Sequence, residues 1–311
     1  MSLLYIASRT PNGGIYKYTF NGKRYEQVSF SKMDSPMYMI THKNKMHVLL
    51  RSPFNNKESG YIRYDINESG DLYAHSEIIS TKGEIACHLN TDGNHIYCVN
   101  YTSGSVIRLP DTLVVRSGDK MSHTHYVGFT PDRKYICVTD LGLDQIFLYD
   151  KALNLVDKIN MPTGCGVRHL AFAKNDYIFT ANELDATVSV LQYTNGTMHL
   201  IDTVSCVRNP HEPHPAPSAI KIYQGKIYVA IRGENVISQL SFEDGRLKLQ
   251  NSFDCLGKTP RDFCFDENRL ICCNQESDTV TVFEETNGSF NFTESIDIKE
   301  PICTLTYDLS N

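Results

Sequence analysis

The chain has 311 residues, 41% of them apolar, enough for one large all-β domain or two ordinary ones around a substantial core. Its formal charge of −6 comes from 36 acidic against 30 basic residues, and Lys and Arg are spread along the chain instead of forming the basic stripe that nucleic-acid binding needs, so no nucleic-acid partner is expected. A small anionic ligand remains open, because a few Arg in one cleft set a local field against the global sign.

In chain order, the opening MSLLYIASRTPNGG carries an apolar run too short for a signal core, with no basic lead, ending at Arg9-Thr10-Pro11. No stretch approaches the roughly 20 apolar residues of a membrane span. The expectation is a cytoplasmic protein with no membrane partner. Helical periodicity is then nearly absent. Short alternating runs rich in Val, Ile, Tyr and Phe follow one another, as in IYKYTF–NG–KRYEQVSF and TVTVFEE–TNG–SFNFTESIDI. Turn pairs at Asn21-Gly22, Ser69-Gly70, Asn195-Gly196, Asp244-Gly245 and Asn287-Gly288 supply the positive φ of tight hairpins. Their spacings of about 42 to 49 residues, or a multiple, match the length of a propeller blade.

Each repeat begins with a run that predicts an innermost strand: PMYMIT from Pro36, IACHLN from Ile85, THYVGF from Thr124, VRHLAF from Val167, PSAIKI from Pro217, PRDFCF from Pro260 and PICTLTY from Pro301. Second strands follow, such as KYICVTD, DYIFTAN, KIYVAIR and RLICCNQ. Six repeats are complete and the last is one strand long. Its missing strands are available at the N-terminus in SLLYIAS, GIYKYTF and YEQVSF, which would leave no bare sheet edge. The expected fold is one domain over residues 1–311: an all-β, seven-bladed β-propeller with four antiparallel strands per blade, closed by the N- and C-terminal strands. A fixed period disfavours an irregular pair of sandwiches, and the absence of Trp removes any WD signature. Of ten cysteines, Cys98, Cys137, Cys264, Cys272, Cys273 and Cys303 sit in apolar runs and none has CxxC spacing, which reads as reduced, structural thiols in a reducing compartment.

In a blade the start of the first strand and the end of the second share one mouth, where side chains are offered to a ligand. The first column reads Met37, Ala86, His125, Arg168, Ser218, Arg261, Ile302. The columns ending the second strand read Asn100, Asp140, Asn182, Ile231, Asn274 and then Tyr101, Leu141, Glu183, Arg232, Gln275. His125, Arg168, Glu183, Arg232 and Arg261 therefore fall at one mouth on four successive blades. Other roles compete. Asp140, Asn182 and Asn274 suit turn caps, and Asp144 and Asp278 suit blade-locking turns. Glu183 could simply pair with Arg168, Arg261 could bridge blades, and His169 should point away from Arg168 and pack between blades. His123 and His125 in SHTH share a face if the strand is extended. His211, Glu212 and His214 do not fit a strong metal site, and no GxSxG elbow, Walker loop or HExxH is present.

At these residues the chain resembles the propeller-type 6-phosphogluconolactonase family, which also contains fungal carboxymuconate cycloisomerases. SHTHYVGFTPDRKYICVTDLGLDQIFLYD is similar to its His-x-His, Pro-Asp and Asp-Leu-Gly-x-Asp segment. GCGVRHLAFAKNDYIFTANELDATVSVLQY resembles its Gly-x-Arg-His and Asn-Glu-Leu segment, and GKTPRDFCFDENRLICCNQESDTVTVF its Pro-Arg-x-Phe and Asn-Gln-x-Ser-Asp segment. The likeness is specific over residues 122–284 and architectural before that. It matches the family's cleft His to His125, its Arg to Arg168, its Glu to Glu183 and its Arg-Gly to Arg232-Gly233. The chain departs from the pattern at Ala219, where an acidic residue is common, at Ile231, where Asn is usual, and at the degraded turn AKND.

The resemblance implies hydrolysis of a sugar-acid lactone, foremost 6-phosphogluconolactone to 6-phosphogluconate in the pentose phosphate pathway. Such an ester needs a base for water and cations for the oxyanion. Glu183 or His125 would be the base, with Arg168 and Arg232 holding oxyanion and substrate anion by their planar forks. Arg261, His123, Asn182 and Gln275 complete the expected substrate contacts. No cofactor or metal is implied. Cycloisomerisation of an anionic diene acid, another lactone reaction, or a non-enzymatic scaffold for an unknown protein partner remain the competing readings.

Overall fold

The computed structural model describes residues 2–74, 76–209, 211 and 214–309. The alternating runs form strands throughout, and among the described residues the one helical element is the 3-10 turn Gln275–Ser277. The strands make seven antiparallel sheets. Six have four strands; in the seventh the outer edge is split between Leu72–Ala74 and Ile79–Ser80.

Two compact units divide the chain, Met1–Ala86 with Cys255–Asn311, and Cys87–Asp254. In the first unit, the C-terminal strand Pro301–Asp308 pairs with Ser2–Ser8, from Ser2↔Asp308 to Ser8↔Pro301. Gly14–Phe20 and Tyr25–Lys32 complete that sheet, so the two ends of the chain build one blade, as the orphan final repeat predicts. Residues Leu3–Ala7 are buried, and an unpaired edge there would leave backbone groups without partners. Leu4, Ile6, Ile271, Val280 and Val282 share an apolar cluster of this unit.

In the second unit the sheets begin with the inner strands Ala86–Thr91, Thr124–Phe129, Val167–Phe172 and Ala216–Tyr223. Consecutive blades face each other across apolar clusters. Val188, Val190, Val229 and Ile231 meet in one, and Cys137, Ile146, Ile178 and Leu191 in another. Burying each such side chain contributes about 1.5–3 kcal/mol relative to exposure. All ten cysteines are free and buried. Burial raises the thiols of Cys98, Cys137, Cys165, Cys206 and Cys272 above the ordinary cysteine range.

Acidic turn residues bond the backbone of the following segment. Asp144 accepts from the amides of Gly164 at 2.6 Å and Gly166 at 2.7 Å, and Asp278 from Glu300 at 2.9 Å. Both sit at positive φ, 52° and 56°, where Asp is tolerated because its short side chain bonds locally. Glu234 instead reaches back to the preceding segment, accepting from the amides of Arg208 and Asn209.

Candidate active site

Five of the seven residues of the first column, Met37, His125, Arg168, Arg261 and Ile302, share a structural identity: each is the extra one in a β-bulge. Pairing steps from Thr124↔Asp140 to Tyr126↔Thr139, leaving out His125, and from Val167↔Asn182 to His169↔Ala181, leaving out Arg168. Pro36 and Tyr38, Pro260 and Asp262, and Pro301 and Cys303 skip Met37, Arg261 and Ile302 in the same way. A bulge bends its strand and re-aims one side chain at the end of a sheet. Here that device lifts His125 and Arg168 out of the ladder that holds their neighbours.

Within Cys87–Asp254, Arg168, Glu183 and Arg232 meet. Glu183 Oε2 lies 2.7 Å from Arg168 Nε and 2.9 Å from Arg232 Nη2. The Arg168 side chain is 2% exposed, Arg232 18% and Glu183 21%, so the group opens to solvent on the side of Arg232 and Glu183. Both guanidinium groups are tied to the strand Ala216–Tyr223, which is the next blade for Arg168 and the same blade for Arg232: Arg168 Nη1 donates to the Ser218 carbonyl and Arg232 Nε to that of Ala216 at 3.2 Å. Glu183 is set by its own backbone, whose amide donates to Gly166 O at 2.8 Å. Gly166 is required there: its φ is +62°, and a Cβ would stand 2.4 Å from Leu184 Cγ. Sharing one carboxylate between two cations keeps both forks oriented.

His125 is buried beside this group in a chain of rings. Its centroid lies 5.5 Å from that of Tyr101, edge-on, and 5.2 Å from that of His169. His123 stacks on Tyr101 at 4.6 Å and 11°, with Nδ1 3.2 Å from the Tyr101 carbonyl oxygen. His123 and His125 thus share a face, as the SHTH spacing predicts, but they share it through Tyr101. His169 packs against neighbouring blades as expected, yet its neighbours include His125 itself, as well as His88 at 5.3 Å and Tyr126 at 5.5 Å. Burial, then the charges of Arg168, His125, His88 and Lys221, push the His169 imidazole well below the ordinary histidine range. His88 is lowered by burial, Lys221 and Arg168.

Asn182 turns its side chain into its own blade. It is fully buried, its amide donates to Thr187 and Ser189 hydroxyls at 2.8 Å each, and its carbonyl accepts from Thr180 at 2.8 Å. The substrate contact expected of it is corrected to the competing role of fastening its own blade. Asp140, accepting from Ser122 Oγ and the amides of His123, Gly142 and Leu143, does the same work, as does Asn274 with Thr281 and Cys255. Ala219 and Ile231, the two departures from the family pattern, are buried in the blade. Arg261 and Gln275 belong to the other unit: Arg261 is the half-buried bulge residue of Pro260–Asp266, and Gln275 donates its amide to Thr259 O at 3.0 Å. His211 and His214 are exposed, and Glu212 lies outside the described residues. No group of three or more His, Cys, Asp and Glu among the described residues could hold a metal ion. Tyr101, His88 and His169 are the residues that sequence reasoning left out of the site. Tyr101 already stood in the column of Glu183 and Arg232, whereas nothing local marks His88.

The chain is similar to known proteins over nearly its whole length. It is 28% identical to 6-phosphogluconolactonase of Bacillus subtilis, with 96% of both chains covered. A periplasmic gluconolactonase of Pseudomonas aeruginosa superposes with a TM-score of 0.88 at 20% identity, covering 99% of both chains. A putative 6-phosphogluconolactonase of Bacteroides fragilis gives 0.87 at 20%, covering 99% of this chain and 98% of its own. These two structural likenesses speak to the fold. The model of the family described as "Lactonase, 7-bladed beta-propeller" matches residues 3–306. With that match and seven blades of antiparallel strands, the chain belongs to the seven-bladed β-propeller lactonase family.

Proposed function

We propose that the protein hydrolyses a sugar-acid lactone, with 6-phosphogluconolactone as the foremost substrate and 6-phosphogluconate, an intermediate of the pentose phosphate pathway, as product. The observation that carries this reading is the Arg168–Glu183–Arg232 ion group beside His125. Two guanidinium forks fixed by a shared carboxylate are preorganised for an anion. The Bacillus subtilis relative, named for this reaction, supports the choice of substrate.

Between the two candidate bases, the geometry favours His125. The Glu183 carboxylate is engaged by two cations, whereas an imidazole beside them is the group that most commonly moves a proton in such a step. In the proposed step, water's oxygen bonds to the lactone carbonyl carbon while His125 takes its proton, and the carbonyl π pair moves onto oxygen. When that oxyanion collapses, the bond to the ring oxygen breaks and the imidazolium returns the proton to the leaving alkoxide. Arg232, the more exposed of the two guanidinium groups, meets the substrate anion, and Arg168 holds the arrangement from beneath. A cytoplasmic location is part of the proposal, supported by ten buried free thiols that suit a reducing compartment.

The test is hydrolysis of freshly made 6-phosphogluconolactone, corrected for spontaneous opening, with unphosphorylated gluconolactone run beside it. Wild type should exceed the spontaneous rate, and Arg232→Ala should lower kcat/KM by about 10². Wild-type rates no faster than spontaneous opening on both lactones would overturn the reading.

A further inference from the structure

Tyr101 stands at the turn after Ile96–Asn100, the position that Glu183 occupies after Tyr177–Asn182. Three surroundings distinguish it. One ring face stacks on His123 and an edge meets His125, while part of the ring packs on the apolar cluster of Cys87, Val99 and Val138. Its hydroxyl has no hydrogen-bond partner among the described residues, although the ring is half-buried. It also lies within electrostatic reach of Glu183, Arg168 and Arg232, and burial followed by the Glu183 charge holds the phenol above the ordinary tyrosine range. A half-buried hydroxyl commonly finds a partner. This one is a donor that stays protonated, on a ring that meets the His125 imidazole edge-on and lies within electrostatic reach of the ion group.

We infer that Tyr101 is a catalytic residue whose phenol donates a hydrogen bond to the lactone carbonyl oxygen as it becomes an oxyanion. The inference rests on the lactonase reading of the site. A base and an oxyanion donor must flank one carbon, and the edge-on contact of Tyr101 with His125 sets the ring that carries the donor against the imidazole that would activate water. Arg168 is poorly suited to that duty, since its Nε is paired with the Glu183 carboxylate at 2.7 Å, its Nη1 donates to the Ser218 carbonyl and its side chain is 2% exposed. No proton leaves Tyr101: it donates a hydrogen bond that strengthens as negative charge grows on the oxygen, and it returns to its starting state when the ring bond breaks.

The experiment compares wild type, Tyr101→Phe and Tyr101→Leu on the lactone that wild type turns over fastest, across pH 6 to 9, with melting temperature recorded for each. Phe keeps the stack on His123 and the edge against His125 and removes only the hydroxyl. The expected result for Tyr101→Phe is a fall of about 10² in both kcat and kcat/KM, equal at every pH, with wild-type melting. Tyr101→Leu should fall at least as far and also melt lower. Wild-type rates in Tyr101→Phe, with loss only in Tyr101→Leu, would show that the ring merely supports the histidines and overturn the inference while leaving the lactonase reading intact. A rise in KM with unchanged kcat would overturn it too, by placing the hydroxyl on the ground-state substrate. Wild type inactive on every lactone would overturn the reading and this role together.

Discussion

Glu183 carries two guanidinium groups on one oxygen, at 2.7 and 2.9 Å, and this arrangement makes it a positioning residue as much as a polar contact. Removing it leaves Arg168 and Arg232 close together with no shared counter-charge, one of them almost wholly buried. Stripping one partner from a buried ion group costs about 3–5 kcal/mol. Glu183→Ala should therefore lower the unfolding free energy by about that amount, read from urea midpoints. Glu183→Gln keeps an acceptor oxygen and should lose less, about 1–3 kcal/mol, and both should lower lactone turnover. A Glu183→Gln protein with an unchanged midpoint and abolished turnover would return the role of base to Glu183. The simple salt-bridge alternative is thus half of the answer: the pair with Arg168 exists, and a second cation from the next blade completes it.

At the scale of elements, the recurrent bulge explains how one fold repeats its strands yet varies its site. The ladder on either side of the bulge keeps the pairing of its strands, while the extra residue stands outside that ladder, so Met, His, Arg and Ile can occupy it in different blades. The blade locks work differently, by acidic turns reaching backbone amides. Asp144 bonds Gly164 and Gly166, and Gly166 in turn receives the Glu183 amide. Asp144→Ala should cost about 2–3 kcal/mol of stability, since hydrogen bonds to charged groups are the stronger class. It should also lower turnover without touching substrate, because the loop that seats Glu183 loosens. Unaltered melting and unaltered activity in Asp144→Ala would show that the turn holds itself.

For the whole molecule, buried neutral histidines set the response to acid. Burial, with Arg63 nearby, lowers His47 to about 4 from an ordinary value of 6.5, and its Nδ1 lies 2.7 Å from the Tyr61 hydroxyl. His88 and His169 are lowered for the same first cause. A histidine depressed in the folded state binds its proton more readily when unfolded. Stability is then full above pH 6.5 and is lost as pH falls towards 4. His47 alone should account for about 2 kcal/mol of loss by pH 5. Urea midpoints measured from pH 7.5 to 5 should decline, and more shallowly in His47→Asn. A wild-type midpoint that stays level down to pH 5 would contradict the neutral burial of these rings.

The sequence by itself determined the repeat, the strands, the pairing of the chain's two ends, and the column in which His125 and Arg168 stand. The repeat, the strands and the column follow from patterns short in sequence, namely alternation within a strand, turn residues with positive φ and a period that places equivalent residues at equivalent ends, and the pairing of the ends follows from the one-strand final repeat that this period leaves. It also brought Tyr101, Glu183 and Arg232 into one column, without distinguishing which of them act together. Only the tertiary structure decided that Glu183 serves two arginines from different blades, that Asn182 spends its amide inside its own sheet, and that Tyr101 joins His123 to His125. His88 and His169 entered the ring chain for the same reason. Which partners meet across neighbouring blades depends on how sheets pack face to face and on where a bulge turns a side chain, and neither is written in the local pattern of any one strand.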